Sequence, residues 1–192
     1  MAVIGAESVT ENQKLHSGRI TDMRELFVID LKDYDLELKR FRRPSVRGII
    51  FKDKKIAMVY SQKYDYYKFP GGGIEAGESH NTALIREVLE ETGLKIIPDS
   101  INEYGYVLRI QKSTYNENEI FEQENYYYLC DVEDSLVTQY LDDYENEERF
   151  TLEYVTSNYA RNVNRTHDHN GYDNILIERE TKVLEMLESE ML

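Results

Sequence analysis

Residues 69–93 constrain this chain more than any other stretch, because they dictate a loop and then a helix with both ends marked. Pro70 lacks a backbone donor, and Gly71, Gly72 and Gly73 permit conformations and close backbone approaches that side chains forbid, so a loop must lie there. Ser79 can cap the helix that follows, residues 82–92 contain no glycine or proline, and Gly93 is placed to stop it. Ahead of the loop, runs 46–51 and 56–60 read as two strands around the charged turn 52–55.

The helix carries a chemical signal of its own. At roughly 100° per residue, Glu87, Glu90 and Glu91 fall within an arc of about 100°, with Ile85, Val88, Leu89 and Thr92 assigned to the opposite side. Carboxylates gathered this way repel one another unless a positive charge sits between them. Magnesium is the natural partner, since it prefers oxygen ligands, keeps several waters and bridges carboxylates to phosphates. A carboxylate face beside a glycine loop therefore points to phosphate chemistry.

The full spacing is Gly72, five residues, Glu78, seven residues, Arg86-Glu87-Val88-Leu89-Glu90-Glu91-Thr92-Gly93-Leu94. It resembles the Nudix box at every specified position, and Phe69-Pro70 with the preceding hairpin is similar to what leads into that box. The resemblance implies an α/β/α sandwich around a mixed sheet, with the box forming loop, helix and loop. It implies that Glu87, Glu90 and Glu91 bind magnesium, with manganese an acceptable substitute, and that Glu78 makes a metal contact or an ion pair with Arg86. Glu90, Glu87, Arg86 and Glu78 are thus the catalytic candidates. The implied reaction is hydrolysis of a pyrophosphate bond in a nucleoside diphosphate linked to another moiety: ADP-ribose, a sugar nucleotide, a nucleoside triphosphate or a dinucleotide. The general base stays open, inside the box or among Glu122, Glu124, Glu145, Glu147 and Glu148. Two other readings stand beside this one, a nucleotide sensor that binds without cleaving and an RNA-decapping pyrophosphohydrolase.

At 192 residues and 41% hydrophobic, the chain can bury one substantial core. Residues 1–44 read as an extension with a β-hairpin, from strands at 26–31 and 36–41, and residues 45–192 as the Nudix domain. Further strands are expected at 94–97, 104–110, 125–132 and 150–155, with helices at 157–164 and 174–190, the last behind Asp173 as cap. The net charge of −14 disfavours nucleic acid and anionic membranes as partners. A small anionic substrate remains compatible, because a bound cation reverses the local field. One cysteine, Cys130, and the lack of a run near the roughly 20 apolar residues of a membrane span fit a cytoplasmic protein. The extension could exchange with a second subunit, so a homodimer is a candidate state.

Outside the box, Arg47 sits on a strand entering the catalytic sheet, where it could reach a diphosphate, and is grouped with Gly72 and Gly73 as substrate-binding. His167 and His169 alternate like metal ligands, but in a polar segment they read as loop residues, and His80 as a surface residue. Most tyrosines should serve packing, with one or two stacked on a base.

Overall fold

Alternation along the strands builds one apolar layer on each side of a mixed sheet, and the helices cover those layers. The computed structural model describes residues 23–191. In chain order the elements are β1 (Glu25–Asp30), β2 (Lys39–Arg42), β3 (Ser45–Ile49), β4 (Phe51–Lys52), β5 (Lys55–Ser61), β6 (Tyr66–Lys68), α1 (His80–Thr92) and β7 (Leu94–Ile96). They continue with β8 (Asn102–Lys112), β9 (Glu119–Leu129), β10 (Val132–Leu136), α2 (Asp143–Glu148), β11 (Phe150–Val155), α3 (Ser157–Thr166) and α4 (Asn174–Met191).

The antiparallel pair β8 and β9 is the spine of the larger sheet, with β3 running parallel to β9 from Ser45 opposite Asn125 to Ile49 opposite Leu129. A second sheet centres on β5, which pairs antiparallel with β4, β6 and β11. On β9, Tyr126 and Tyr128 face α1, where they join Leu84, Val88, Val46 and Leu108. Tyr127 faces the other way, with Val107, Ile49, Met58 and the α3 and α4 residues Val163, Val183, Leu184 and Leu187. Each such aliphatic side chain removed from water stabilises the fold by about 1.5–3 kcal/mol. A register shift between Glu103 and Gly105 puts Tyr104 on the α4 side while Tyr106 faces α1, as an extra residue in a ladder must.

The caps act where the residues require them. Ser79 Oγ accepts the Thr82 N–H at 3.2 Å. Gly93 has φ 73°, donates to the Leu89 carbonyl at 2.8 Å, and lies where a Cβ would overlap the Val137 carbonyl. Asp173 Oδ1 accepts the N–H groups of Ile175 and Leu176 at 3.0 and 3.2 Å, opening α4.

The N-terminal strands do not form the expected hairpin. β1 pairs in parallel with β8, and β2 in parallel with β9, so both extend the same sheet instead of pairing with each other. β8 and β9 also extend beyond the strands expected at 104–110 and 125–132, to Lys112 and back to Glu119, leaving residues 113–118 as their connection. The strand β10 and the short helix α2 were not expected. Among the described residues no helix is long and apolar enough to cross a membrane.

Candidate active site

The glycine loop lies between α1 and β3 because β3 holds it there. Val46 N–H donates to the Gly72 carbonyl at 2.9 Å, and Gly48 N–H to the Pro70 carbonyl at 2.8 Å. From the helix side Arg86 completes the clamp. Its Nε and Nη2 bind both Glu78 oxygens at 3.0 and 2.8 Å, and Nη2 also binds the Gly73 carbonyl at 3.1 Å. Its Nη1 reaches Glu87 at 2.8 Å and Glu90 at 3.2 Å. This planar fork orients three carboxylates and one loop carbonyl at once.

The carboxylates are not equivalent. Hydrogen bonding to Arg86 holds Glu78 below the usual carboxylate range. Burial pushes Glu87 up, outweighing the opposing pull of Arg86, Arg47 and Lys68. Glu91 is 1% exposed and turned inward, bonded to Lys68 and, at 2.8 Å, to the Gly71 N–H. Glu87 and Glu90 therefore meet around Arg86, while Glu91 belongs to a second group around Lys68.

These residues fit a divalent ion through Glu87 and Glu90. Glu87 is a partly buried oxygen donor whose carboxyl burial raises despite Arg86, and at Gly73, next along the loop from the Gly72 that its carboxylate abuts, a Cβ would meet nothing within 4 Å. Among the described residues no three Asp, Glu, His or Cys groups enclose a metal by themselves. Two carboxylates completed by water and substrate oxygens is the arrangement magnesium prefers.

Across the loop from this face lies a cavity of about 310 Å³, lined by Arg43, Ser45, Arg47, Lys68, the loop 71–73, Gln123 and the rings of Tyr66, Tyr115, Tyr144, Phe150 and Tyr172. Arg43, Ser45 and Arg47 share a face because side chains alternate along an extended strand. Arg47 is 7% exposed and its Nε has no hydrogen-bond partner. In a chain of net charge −14, a lining with three cationic side chains and no carboxylate is suited to an anion.

Gly72 is the contact between the two halves. A Cβ there would overlap the Glu87 carboxylate, the mobile end of a side chain, so the carboxylate must move while the backbone need not. Gly72→Ala should cut kcat/KM about 10- to 100-fold, the cost of misplacing a reacting group by an ångström. Its melting temperature should stay within about 2 °C of the parent. Steady-state kinetics and a thermal melt check this.

The NUDIX domain model matches residues 41–170. The chain belongs to the Nudix family. Curated Nudix relatives include an ADP-ribose pyrophosphatase of Methanocaldococcus jannaschii, 41% identical over 68 residues covering 34% of this chain and 39% of the relative. An RNA pyrophosphohydrolase of Nitratiruptor sp. is 35% identical over 92 residues, covering 42% and 58% respectively. The chain thus spans less than two thirds of the length of these relatives. Among solved structures, the mutator protein MutT of Bacillus halodurans superposes with a TM-score of 0.50 at 18% identity, over 71% of this chain and 80% of that one, a likeness of fold.

Of the carboxylates outside the Nudix box, Glu122 pairs with Arg40 and Arg42, and Glu147 pairs with Lys63 at the surface. Glu124 is buried on β9, and Glu148 accepts the hydroxyls of Ser61 and Tyr66, each at 3.0 Å. Glu145 closes the α2 capping box and accepts the Tyr144 hydroxyl at 2.9 Å; burial, then the charge of Glu91, raise its carboxyl above the usual range. His167 pairs with Asp65 at 2.7 Å, whereas His169 is buried between the carbonyls of Tyr64 and Asn164, both at 3.0 Å. His80 is half-buried against Tyr126 and Tyr128, not at the surface as expected. Sequence reasoning missed Lys68, Tyr144 and Gln123, whose roles depend on neighbours distant in the chain.

Proposed function

We propose that this chain hydrolyses a pyrophosphate bond in a nucleoside diphosphate linked to another moiety, using magnesium at the outer face of α1. The carrying observation is that an acidic helix face and a cationic, aromatic cavity adjoin across one glycine loop. Bound there, magnesium would neutralise phosphate oxygens and lower the pKa of the attacking water.

The chain's own residues do the rest. Arg86 holds Glu87 and Glu90 in register with the loop, and Arg47, whose Nη1 donates to the Gly71 carbonyl, brings positive charge and an unpartnered Nε to a diphosphate oxygen. Aromatic rings around the cavity offer surfaces for a base. Glu145 is our choice for general base: it is buried, its carboxyl has a raised pKa, and Tyr144, its hydrogen-bond partner, lines the cavity.

A panel of ADP-ribose, a sugar nucleotide, nucleoside triphosphates, a dinucleoside polyphosphate and a capped transcript, incubated with magnesium and read by mass, tests the reading. At least one small compound should be split at its pyrophosphate. For that compound Arg47→Met should raise KM about 10- to 100-fold, the loss of one or two charged hydrogen bonds, and should also lower kcat, because Arg47 Nη1 holds the Gly71 carbonyl of the glycine loop. Tight binding without cleavage over hours would make the chain a nucleotide sensor instead. Cleavage of the transcript alone would favour the decapping reading, which a net charge of −14 disfavours.

A further inference from the structure

The strands β2 and β3 form one track along β9. Lys39 lies opposite Glu119 and Arg42 opposite Glu122, and the register resumes unshifted with Ser45 opposite Asn125 and Arg47 opposite Tyr127. Across the break at Pro44, alternation therefore keeps Phe41, Arg43, Ser45 and Arg47 on one face, the face of the cavity. Arg47 stands at the inner end of this row, with its Nη1 on the Gly71 carbonyl. Arg43 stands four residues away, about 13 Å along an extended strand, at the mouth.

At the mouth, Arg43 Nη1 donates to the Tyr115 hydroxyl at 3.0 Å, and its guanidinium lies 6.0 Å from the Tyr115 ring centre. The rings of Phe41 and Tyr115 meet edge to face at 6.2 Å and are 39% and 67% exposed. Nearby carboxylates are already answered, Glu122 by Arg40 and Arg42, and Asp173 by Arg109 at 2.8 Å. Among the described residues no carboxylate pairs with Arg43, so it stands exposed with only a phenol for a partner.

A diphosphate is too short to engage both ends of the row. Its phosphorus atoms share one bridging oxygen, whereas one guanidinium is anchored to the glycine loop and the other to the connection at 113–118. With the pyrophosphate at the glycine loop and the nucleoside in the cavity, Arg43 faces the outer side of that nucleoside. A planar cation set beside exposed rings suits a phosphate there.

We propose that Arg43, held by Tyr115 and flanked by Phe41, forms a second anion subsite at the cavity mouth, so that the favoured substrate is a nucleotide carrying a further phosphate beyond the pyrophosphate that is split. The inference rests on the hydrolase reading for where that pyrophosphate lies, and its test reads binding, not turnover.

AMP and its 2′- and 3′-phosphorylated forms are titrated calorimetrically into the full chain with magnesium present. At least one phosphorylated form should bind about 10-fold or more tightly than AMP, the worth of one charged hydrogen bond. Arg43→Met should bring that ratio to within about threefold of unity. Tyr115→Phe keeps the ring but removes the hydroxyl that holds Arg43, and should shrink the ratio by about threefold. A 5′-phosphorylated diadenylate separates the two sources of such a phosphate. The net charge of −14 favours a small nucleotide over a chain, so the diadenylate should bind less tightly than the better phosphorylated form. Tighter binding would keep the subsite and overturn the small-nucleotide source. Equal binding of AMP and both its phosphorylated forms, no binding of any, or a preference that survives Arg43→Met would overturn the proposal, and cleavage of a pyrophosphate compound would still uphold the hydrolase reading. A preference lost in Arg43→Met with no pyrophosphate compound cleaved would overturn the hydrolase reading alone.

Discussion

Glu90→Gln should lower kcat by about 100-fold or more on any pyrophosphate substrate the chain accepts, since even outer-sphere supports of a metal are worth 10- to 100-fold. The change removes a charge and almost no volume. The Glu90 side chain is 38% exposed, and its contact with Arg86 Nη1 at 3.2 Å is shared with Glu87, so the fold loses little. Melting temperature should stay within about 2 °C of the parent, the range of a surface substitution. Steady-state kinetics with saturating magnesium and a thermal melt measure both; near-normal turnover would remove Glu90 from the site. Without a bound cation, burial raises the Glu87 carboxyl despite Arg86, so the site should take up a cation less readily as pH falls.

The loop and helix that carry this site were legible because their rules are local. Ser79, Gly93 and Asp173 act through hydrogen bonds to residues within four positions. The parallel pairing of β1 and β2 was not legible, because two alternating segments separated by a short turn satisfy the hairpin rule, and only the burial of β8 and β9 decides otherwise. α2 holds one aromatic among acidic and amide residues and so has no apolar period to find. Lys68 reads as a solvated strand residue until its partner is known. The inward turn of Glu91, however, was available. It follows Leu84 by seven residues, which on a helix is about 20° short of two full turns, so it continues the buried stripe of Leu84 and Val88. Grouping it with Glu87 and Glu90 by charge obscured that geometry.

Glu180→Ala should be the most destabilising single change in the site's supports. Glu180 and Arg179 are 0% and 1% exposed. One Glu180 oxygen accepts Arg179 Nε and Nη2 at 2.8 and 2.6 Å and the Tyr127 hydroxyl at 3.2 Å; the other accepts the Phe69 N–H at 2.8 Å. Arg179 Nη1 continues to Asn125, which Ser45 also binds, so the network joins α4 to β9, β3 and the residue before Pro70. Removing the carboxylate leaves a guanidinium buried without its counter-charge, at a cost of about 3–5 kcal/mol. For a chain of this size that lowers the melting temperature by about 6–20 °C. Burial alone would raise the Glu180 carboxyl, but the charges of Arg179 and Arg47 outweigh it and hold it below the usual range. A carboxylate depressed in the folded state contributes stability at neutral pH, and that contribution fades as pH falls below the unfolded-state value and through the folded one. Melts of wild type and variant should therefore differ most at pH 7 and converge in acid. A difference under about 2 °C at pH 7 would mean that the pair does not hold α4 to the sheet. Because the same carboxylate fixes the Phe69 N–H, the folded variant should also be slower, through a loosened glycine loop.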